Sequence, residues 1–457
     1  MASKTSPLIA AGMAVLCVGA GIWAIPRAVD ARQLAAGATS TYSAPAAQAP
    51  ASLSPQGTTD SQELTTALDQ LMNGFTGGTV SASVINPTNG ETLYEHNADR
   101  ASTPASNLKI LTDYTVLRTF DSSDRFSTDA VYDGTNLTLV AGGDTLLSTG
   151  KSDSTAVVGH AGLETLAQQT LDSLKQQDAH GTITVDRDTS IFTGPSANPA
   201  WDPADKASGF VGDVYPMALY SHSVPQDGQP TEHRYDNAAA ATQQAFVDSL
   251  NKLSDGTLTF KMGNENQAAD DAQKLASIES ATAAEQSASM MQRSDNFLAE
   301  TLARNAAIKA GKQGTIEDAI AHVKQSLQDG GISTDKLTMV DLCGLSPDNK
   351  VTNQTLTSII KTMVTGDPTF SQGLPGLPVA GGTGTLAQRF DDANEAGGQG
   401  YVHAKTGTLN NVISLTGYAI TPQDEVLVFS IIANDVKDTN AAKNLLDSSA
   451  TTIAGRA

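Results

Sequence analysis

Cysteine is almost missing from this 457-residue chain, which has two, Cys17 and Cys343. Cys17 falls in an N-terminal apolar run, so the folded part holds one thiol and cannot close an internal disulfide. The cysteines therefore say nothing about the redox compartment. Positive charge is also short, with 28 Lys and Arg against 49 Asp and Glu and a net charge of −21. That balance argues against nucleic acid as a partner and against adhesion of the folded body to an anionic lipid surface. The seven histidines show no HExxH or similar spacing. No metal is indicated, and no cofactor is expected. Apolar residues, by contrast, make up 39% of the chain, enough for a globular body. The length points to two or three domains.

The N-terminus reads as an export signal or a membrane anchor over residues 1–27. Lys4 precedes an uncharged stretch from Ser6 to Pro26 that stops at Arg27. A small-residue cleavage pattern, Ala36-Gly37-Ala38, lies farther downstream than is usual. Residues 28–62 are rich in Ala, Ser, Thr, Gln and Pro and read as a flexible tether. With the signal cleaved or retained, the body is expected outside the cytoplasmic membrane, secreted or anchored.

From Thr79 the pattern alternates as a strand does, turns at Asn86-Pro87-Thr88-Asn89-Gly90 and resumes over Thr92 to Tyr94, predicting a hairpin. An amphipathic helix is expected from about Ala105 to Phe120, with Leu108, Ile110, Leu111, Tyr114, Leu117 and Phe120 on its apolar face. The middle, 124–257, has short strand signals and a loop-rich stretch, and reads as an inserted, mainly β module of one or two subdomains. Helical spacing is expected over Ala269 to Ala310 and again over Ile316 to Leu327. Two strand runs follow, Val412 to Ile420 and Glu425 to Ala433, joined by the turn Thr421-Pro422-Gln423-Asp424. A last helix is expected over Thr439 to Ile453. Strands at both ends with helices between them predict an α/β domain, 63–123 plus 258–457, whose sheet is built from both chain ends.

Three short motifs occur in order: Ser106-Asn107-Leu108-Lys109, Ser294-Asp295-Asn296 and Lys405-Thr406-Gly407-Thr408. A serine at a helix start feels the positive end of the helix dipole, and its backbone N–H is free to bind an oxyanion. A lysine three residues on lies on the same face, and burial can lower its pKa until the neutral amine takes the serine proton. Ser294 can relay a proton, and the Asn296 amide can hold a substrate backbone. Lys405, Thr406 and Thr408 suit a carboxylate, and Gly407 lets a strand approach closely. Ser-x-x-Lys alone carries little, since it recurs at Ser148, Ser249, Ser333 and Ser358. The ordered combination is what stands out.

Together the motifs resemble the signature of penicillin-binding proteins and serine β-lactamases. Their flanks, R-A-S-T-P-A-S-N-L-K-I-L-T from Arg100, M-M-Q-R-S-D-N-F-L-A-E from Met290 and V-H-A-K-T-G-T-L from Val402, are similar to the class C low-molecular-mass penicillin-binding proteins. These are D-alanyl-D-alanine carboxypeptidases of the DacB, or penicillin-binding protein 4, type (peptidase family S13). Gly142-Gly143-Asp144, Asp188 to Pro195, Asp341 to Thr352 and Gly384 to Phe390 agree. So does the separation of Ser106 and Ser294 by 188 positions, where this family inserts extra domains.

The resemblance implies a serine β-lactamase/DD-peptidase-like α/β (α+β) fold, with a central antiparallel sheet flanked by helices. It implies Ser106, Lys109 and Ser294 as catalytic residues, and Asn296, Lys405, Thr406, Gly407 and Thr408 as substrate-binding ones. Peptidoglycan stem peptides are the implied substrate, with endopeptidase cleavage of cross-links as the related activity, and β-lactams the implied covalent inhibitors. Leu342-Cys343 stands where relatives have Gly-Ser, and His403 where a long basic residue is common. Cys343 reads as a buried small residue, and His403 as structural. A β-lactamase, or a non-catalytic wall-binding scaffold of the same fold, is the alternative.

Overall fold

The computed structural model describes residues 61–226 and 229–457. The signal or anchor, and nearly all of the tether, lie outside these residues. The tether as read ends slightly late, because Ser61 and Gln62 already belong to helix α1 (Ser61–Gly74). Among the described residues no helix is long and apolar enough to cross a membrane.

In chain order, α1 is followed by β1 (Thr79–Ile85), β2 (Thr92–His96) and α2 (Lys109–Thr119). Then come β3 (Arg125–Tyr132), β4 (Asn136–Ala141), α3 (Leu163–Gln176), β5 (Gly181–Asp188), β6 (Ser223–Gln226) and β7 (Gln229–Arg234). Next are α4 (Ala238–Leu253), β8 (Leu258–Glu265), β9 (Gln273–Thr282), α5 (Ala283–Arg293) and α6 (Asn296–Lys309). The chain ends with α7 (Ile316–Asp329), α8 (Asn353–Val364), β10 (Val402–Leu409), β11 (Val412–Ile420), β12 (Val426–Asn434) and α9 (Thr439–Ile453).

One antiparallel sheet has the order β10-β11-β12-β1-β2. As expected, both chain ends build it: β1 pairs with β12 from Thr79 opposite Asn434 to Ile85 opposite Val428. β12 is apolar almost throughout because both of its faces are covered. Leu427, Phe429, Ile431 and Ala433 join a core with Leu64 and Leu68 of α1 and Leu446 of α9. Val426, Val428 and Ile432 face a second core with residues of α2, α5, α6, α7 and α8. Ser430 sits on that second face, where its hydroxyl donates to Asn353 Oδ1 at 2.8 Å and bonds Thr416 Oγ1 at 2.8 Å.

A second sheet has the order β8-β5-β4-β3-β9. It mixes antiparallel pairs with the parallel pairs β4/β5 and β5/β8. The parallel links need crossovers, and α3 and α4 supply them. Residues 258–282 therefore pair within this sheet.

Two expectations change. Helical spacing over Ala269 to Ala310 gives instead a strand, β9, and then two helices. In β9, Ala276, Ile278 and Ser280 are buried while Ser277 and Glu279 between them are exposed, a period of two. The helix begins only at a capping box, in which Thr282 and Glu285 satisfy each other's backbone N–H groups. Likewise, the helix expected from Ala105 starts as a 3-10 turn, Ala105–Leu108, and becomes α2 at Lys109. Ala105 has φ 49°, which no α-helix accommodates.

Burial also sets a pH dependence. Asp113 on α2 is wholly buried, with one oxygen receiving the Ser287 hydroxyl at 2.5 Å and the other unpartnered. Burial raises its pKa to about 6, and raises those of Asp144 and Glu300 to about 7. All three lie above their unfolded values near 4. Their contribution to stability is therefore full below pH ~4 and is lost as pH rises through 6–7. Thermal melts should show Tm falling between pH 5 and 8. Asp113→Asn, which keeps an acceptor for Ser287, should gain about 2–3 kcal/mol at pH 8 and little at pH 4. Equal gains at both pH values would refute this account.

Candidate active site

The first two motifs lie where the chain changes structure, and the third lies within a strand. Ser106 is in the 3-10 turn that enters α2, directly after the left-handed Ala105. Two glycines border this turn. A Cβ on Gly344 (φ +84°) would lie 1.9 Å from the Ala105 carbonyl oxygen. One on Gly407 would lie 2.7 Å from the Pro104 oxygen and 3.0 Å from the Ser106 nitrogen. Ser294 ends α5 in the left-handed region (φ 55°). Asp295 then caps α6, its side chain accepting the Leu298 N–H at 3.0 Å. Lys405 to Thr408 lie on β10, the edge strand of the first sheet.

The fold brings the motifs together. Lys109 Nζ lies 3.0 Å from Ser106 Oγ, 2.7 Å from Asn296 Oδ1 and 2.6 Å from the Cys343 carbonyl oxygen. The other end of the Asn296 amide donates to the Phe210 carbonyl at 2.9 Å. A carbonyl can only accept, so this bond fixes which end of the amide faces the lysine. Lys405 Nζ donates to Ser294 Oγ at 2.9 Å and to the Thr406 carbonyl at 2.7 Å. The Thr406 hydroxyl meets that of Thr385 at 2.7 Å. Next to the nucleophile candidate, Asn107 Nδ2 donates to Thr416 Oγ1 of β11 at 2.8 Å, tying the 3-10 turn to the sheet. Thr408 is half-buried, one residue beyond Gly407.

Residues 63–229 and 220–454 match the D-Ala-D-Ala carboxypeptidase 3 (S13) family. The chain belongs to this family. It is 32% identical over 391 residues to carboxypeptidase DacB of Mycolicibacterium smegmatis, covering 82% of this chain and 81% of that one. It is 26% identical over 436 residues to a D-alanyl-D-alanine carboxypeptidase of an Actinomadura species, covering 80% and 79%. The crystal structure of penicillin binding protein 4 (dacB) from Haemophilus influenzae resembles it in fold, with a TM-score of 0.67 at 19% identity, over 86% of this chain and 98% of that one. The family makes the chain a D-Ala-D-Ala carboxypeptidase of the extracytoplasmic cell envelope.

Two buried lysines dominate the electrostatics of the site. Lys109 and Lys405 are both fully buried. Among the described residues, neither forms an ion pair. Burial lowers the Lys109 pKa, while the Cys343 thiol and the carboxyls of Asp341, Asp295 and Glu300 act in the opposite direction. Burial, and then the charge of Lys109, push Lys405 well below the ordinary lysine range. The neighbours of Lys109 suit either charge state. Asn296 Oδ1 and the Cys343 carbonyl can only accept, whereas the Ser106 hydroxyl can accept or donate. A neutral amine can thus give its two N–H bonds to the former pair and receive the Ser106 proton on its lone pair.

Cys343 is buried, and burial raises its thiol pKa, so it is an inert thiol rather than a reactive one. Its backbone carbonyl is the part that meets Lys109. His403 stacks on Tyr418 with ring centroids 4.7 Å apart, and burial lowers its pKa. Sequence reasoning missed Thr385, Glu300 and the Phe210 carbonyl. Thr385 lies within the G-T-L-A-Q-R-F landmark, and Glu300 lies one helical turn after Asn296, so spacing alone could have drawn attention to both. Nothing in the local sequence marks Phe210.

Proposed function

We propose that the chain removes the terminal D-Ala from peptidoglycan stem peptides through an acyl-enzyme on Ser106. The observation that carries this reading is the contact of a buried Lys109, which forms no ion pair among the described residues, with Ser106 Oγ at 3.0 Å. Ser106 Oγ attacks the penultimate D-Ala carbonyl carbon as Lys109 Nζ takes its proton. The oxyanion rests on the N–H groups of Ser106 and Thr408. The C–N bond then breaks, and the departing amine receives a proton through the Ser294 hydroxyl, backed by Lys405. Water cleaves the ester and restores Ser106. Lys405, Thr406 and Thr408 receive the substrate carboxylate, whose charge complements the Lys405 ammonium, and Asn296 holds the peptide amide. Gly407 keeps the strand close to Ser106. β-Lactams would be trapped at the same serine. Residues 1–27 would export or anchor the body, and the second sheet with its helices would form the inserted module.

Intact-mass measurement after benzylpenicillin exposure tests this. The expected result is one stable adduct per chain, located at Ser106 within the tryptic peptide Ala101 to Lys109. Release of D-Ala from a stem pentapeptide should accompany it, and a cross-linked muropeptide in the same assay would reveal endopeptidase cleavage. A folded protein that forms no adduct would favour the scaffold reading. Rapid drug hydrolysis without a stable adduct would favour the β-lactamase reading.

A further inference from the structure

Near Lys109 lies a buried acidic group made of Glu300, Asp341 and Cys343, whose side-chain ligand atoms fall within 4.8 Å of one another and whose charges act on the amine. Asp341 is committed to its own turn. Its oxygens accept from the N–H groups of Gly344 and Ser346 at 2.8 and 2.7 Å, from Asn349 Nδ2 at 2.8 Å and from Trp201 Nε1 at 3.2 Å. Glu300 comes from a different element, α6, one turn after Asn296 and so on the same helix face. Its Oε1 accepts the Leu342 N–H at 2.8 Å, and its Oε2 is buried without a partner.

We infer that Glu300 is a positioning residue for Lys109: it holds the 342–343 backbone whose carbonyl receives the lysine, and it sets a titratable carboxyl close enough to act on the amine. The inference rests on the proposed role of Lys109 as the base. The geometry has a simple logic. Two of the three contacts of Lys109 are Asn296 and the Cys343 carbonyl. The first is on α6, and the second is tied to α6 through Glu300. A single helix therefore sets the lysine's position from both sides.

Charge adds a second effect. The groups facing Lys109 are Asp295 and Glu300 from α6, Asp341 and Cys343 from the turn, and Lys405 from β10. Arg304, one turn beyond Glu300, partly offsets the carboxyl. Burial raises the Glu300 pKa to about 7, so the carboxyl ionises in the range where acylation is measured. Ionised Glu300 favours the protonated amine. Replacing it with a neutral group lets Lys109 lose its proton at lower pH.

The test is the second-order rate of acylation of the full chain by benzylpenicillin from pH 5 to 9. Its acid limb reports the base of the free enzyme. Glu300→Gln keeps an acceptor for Leu342 N–H and removes the charge. It should retain the plateau rate within about threefold and move the acid limb about half to one unit lower. Glu300→Ala also removes the acceptor and should acylate about 100-fold more slowly at every pH. A Gln variant whose acid limb coincides with that of the wild type overturns the electrostatic part. An Ala variant that folds and acylates at the normal rate overturns the positioning part. A wild-type chain that is not acylated at all instead defeats the proposed function, and that outcome is separate from both.

Discussion

Lys109→Met should acylate about 100-fold to 10000-fold more slowly than the wild type, the range that loss of a positioned general base produces. Methionine matches the length and packing of the lysine stem but offers no lone pair that could accept a proton with useful basicity. The fold should survive. The change removes a buried amine whose charging is costly, while leaving Asn296 Oδ1 and the Cys343 carbonyl without that donor, and these effects oppose each other. The shape of the pH profile is the sharper readout. Acylation of the wild type should rise with pH as Lys109 loses its proton, because only the neutral amine can take one from Ser106. In the Met variant that limb should disappear, and raising the pH should not restore the rate. Stopped-flow or quenched mass measurements with benzylpenicillin would show this. Acylation at the wild-type rate would remove Lys109 as the base and leave Lys405 as the other buried amine near the site.

Gly407→Ala should cost at least about 100-fold in acylation and about 1–3 kcal/mol in stability. The sequence assigns this glycine to close approach of a substrate strand. The structure shows a neighbour within the chain itself. A Cβ here would lie 2.2 Å from Ser414 Oγ, 2.7 Å from the Pro104 oxygen and 3.0 Å from the Ser106 nitrogen. Ser414 faces Gly407 across the β10/β11 ladder, and its hydroxyl donates to the same Pro104 oxygen at 2.6 Å. The hydroxyl can rotate away only by giving up that bond, and the Pro104 and Ser106 backbone cannot yield without moving the Ser106 hydroxyl. Space rather than dihedral freedom is therefore what the glycine provides. The measurements are Tm and acylation rate on the same preparation, with Ser414→Ala as the comparison that removes the hydroxyl but leaves the backbone in place. An alanine variant as fast as the wild type would show that the strand and the Ser106 turn are not held against each other.

Much of this protein was legible without coordinates, and the reason is locality. β11 and α9 fall where alternation and helical spacing put them, and the first sheet draws on both chain ends because strand-like runs stand at each end. The three motifs mark themselves because their chemistry needs fixed short spacings: a lysine one turn after a serine, and a hydroxyl–acid–amide triplet that ends one helix and caps the next. Where local signals competed, reading failed. Over 276–280 the period-two burial of β9 prevailed over helix-like composition because the neighbouring strand β3 was there to pair with it.

Tertiary structure alone decided what those motif residues can do. Whether Lys109 is a base depends on burial and on acceptors from Asn296 and Cys343, 187 and 234 positions away along the chain. The same holds for Gly407, whose neighbours arrive from the turn carrying Ser106, and for Glu300, which looks like an ordinary helix residue until the 341–344 turn closes over it. Sequence records a side chain's chemistry and its local geometry. Desolvation, the sum of nearby charges and the close passage of distant backbones arise only when the chain is packed, and those three terms set the reactivity of this site.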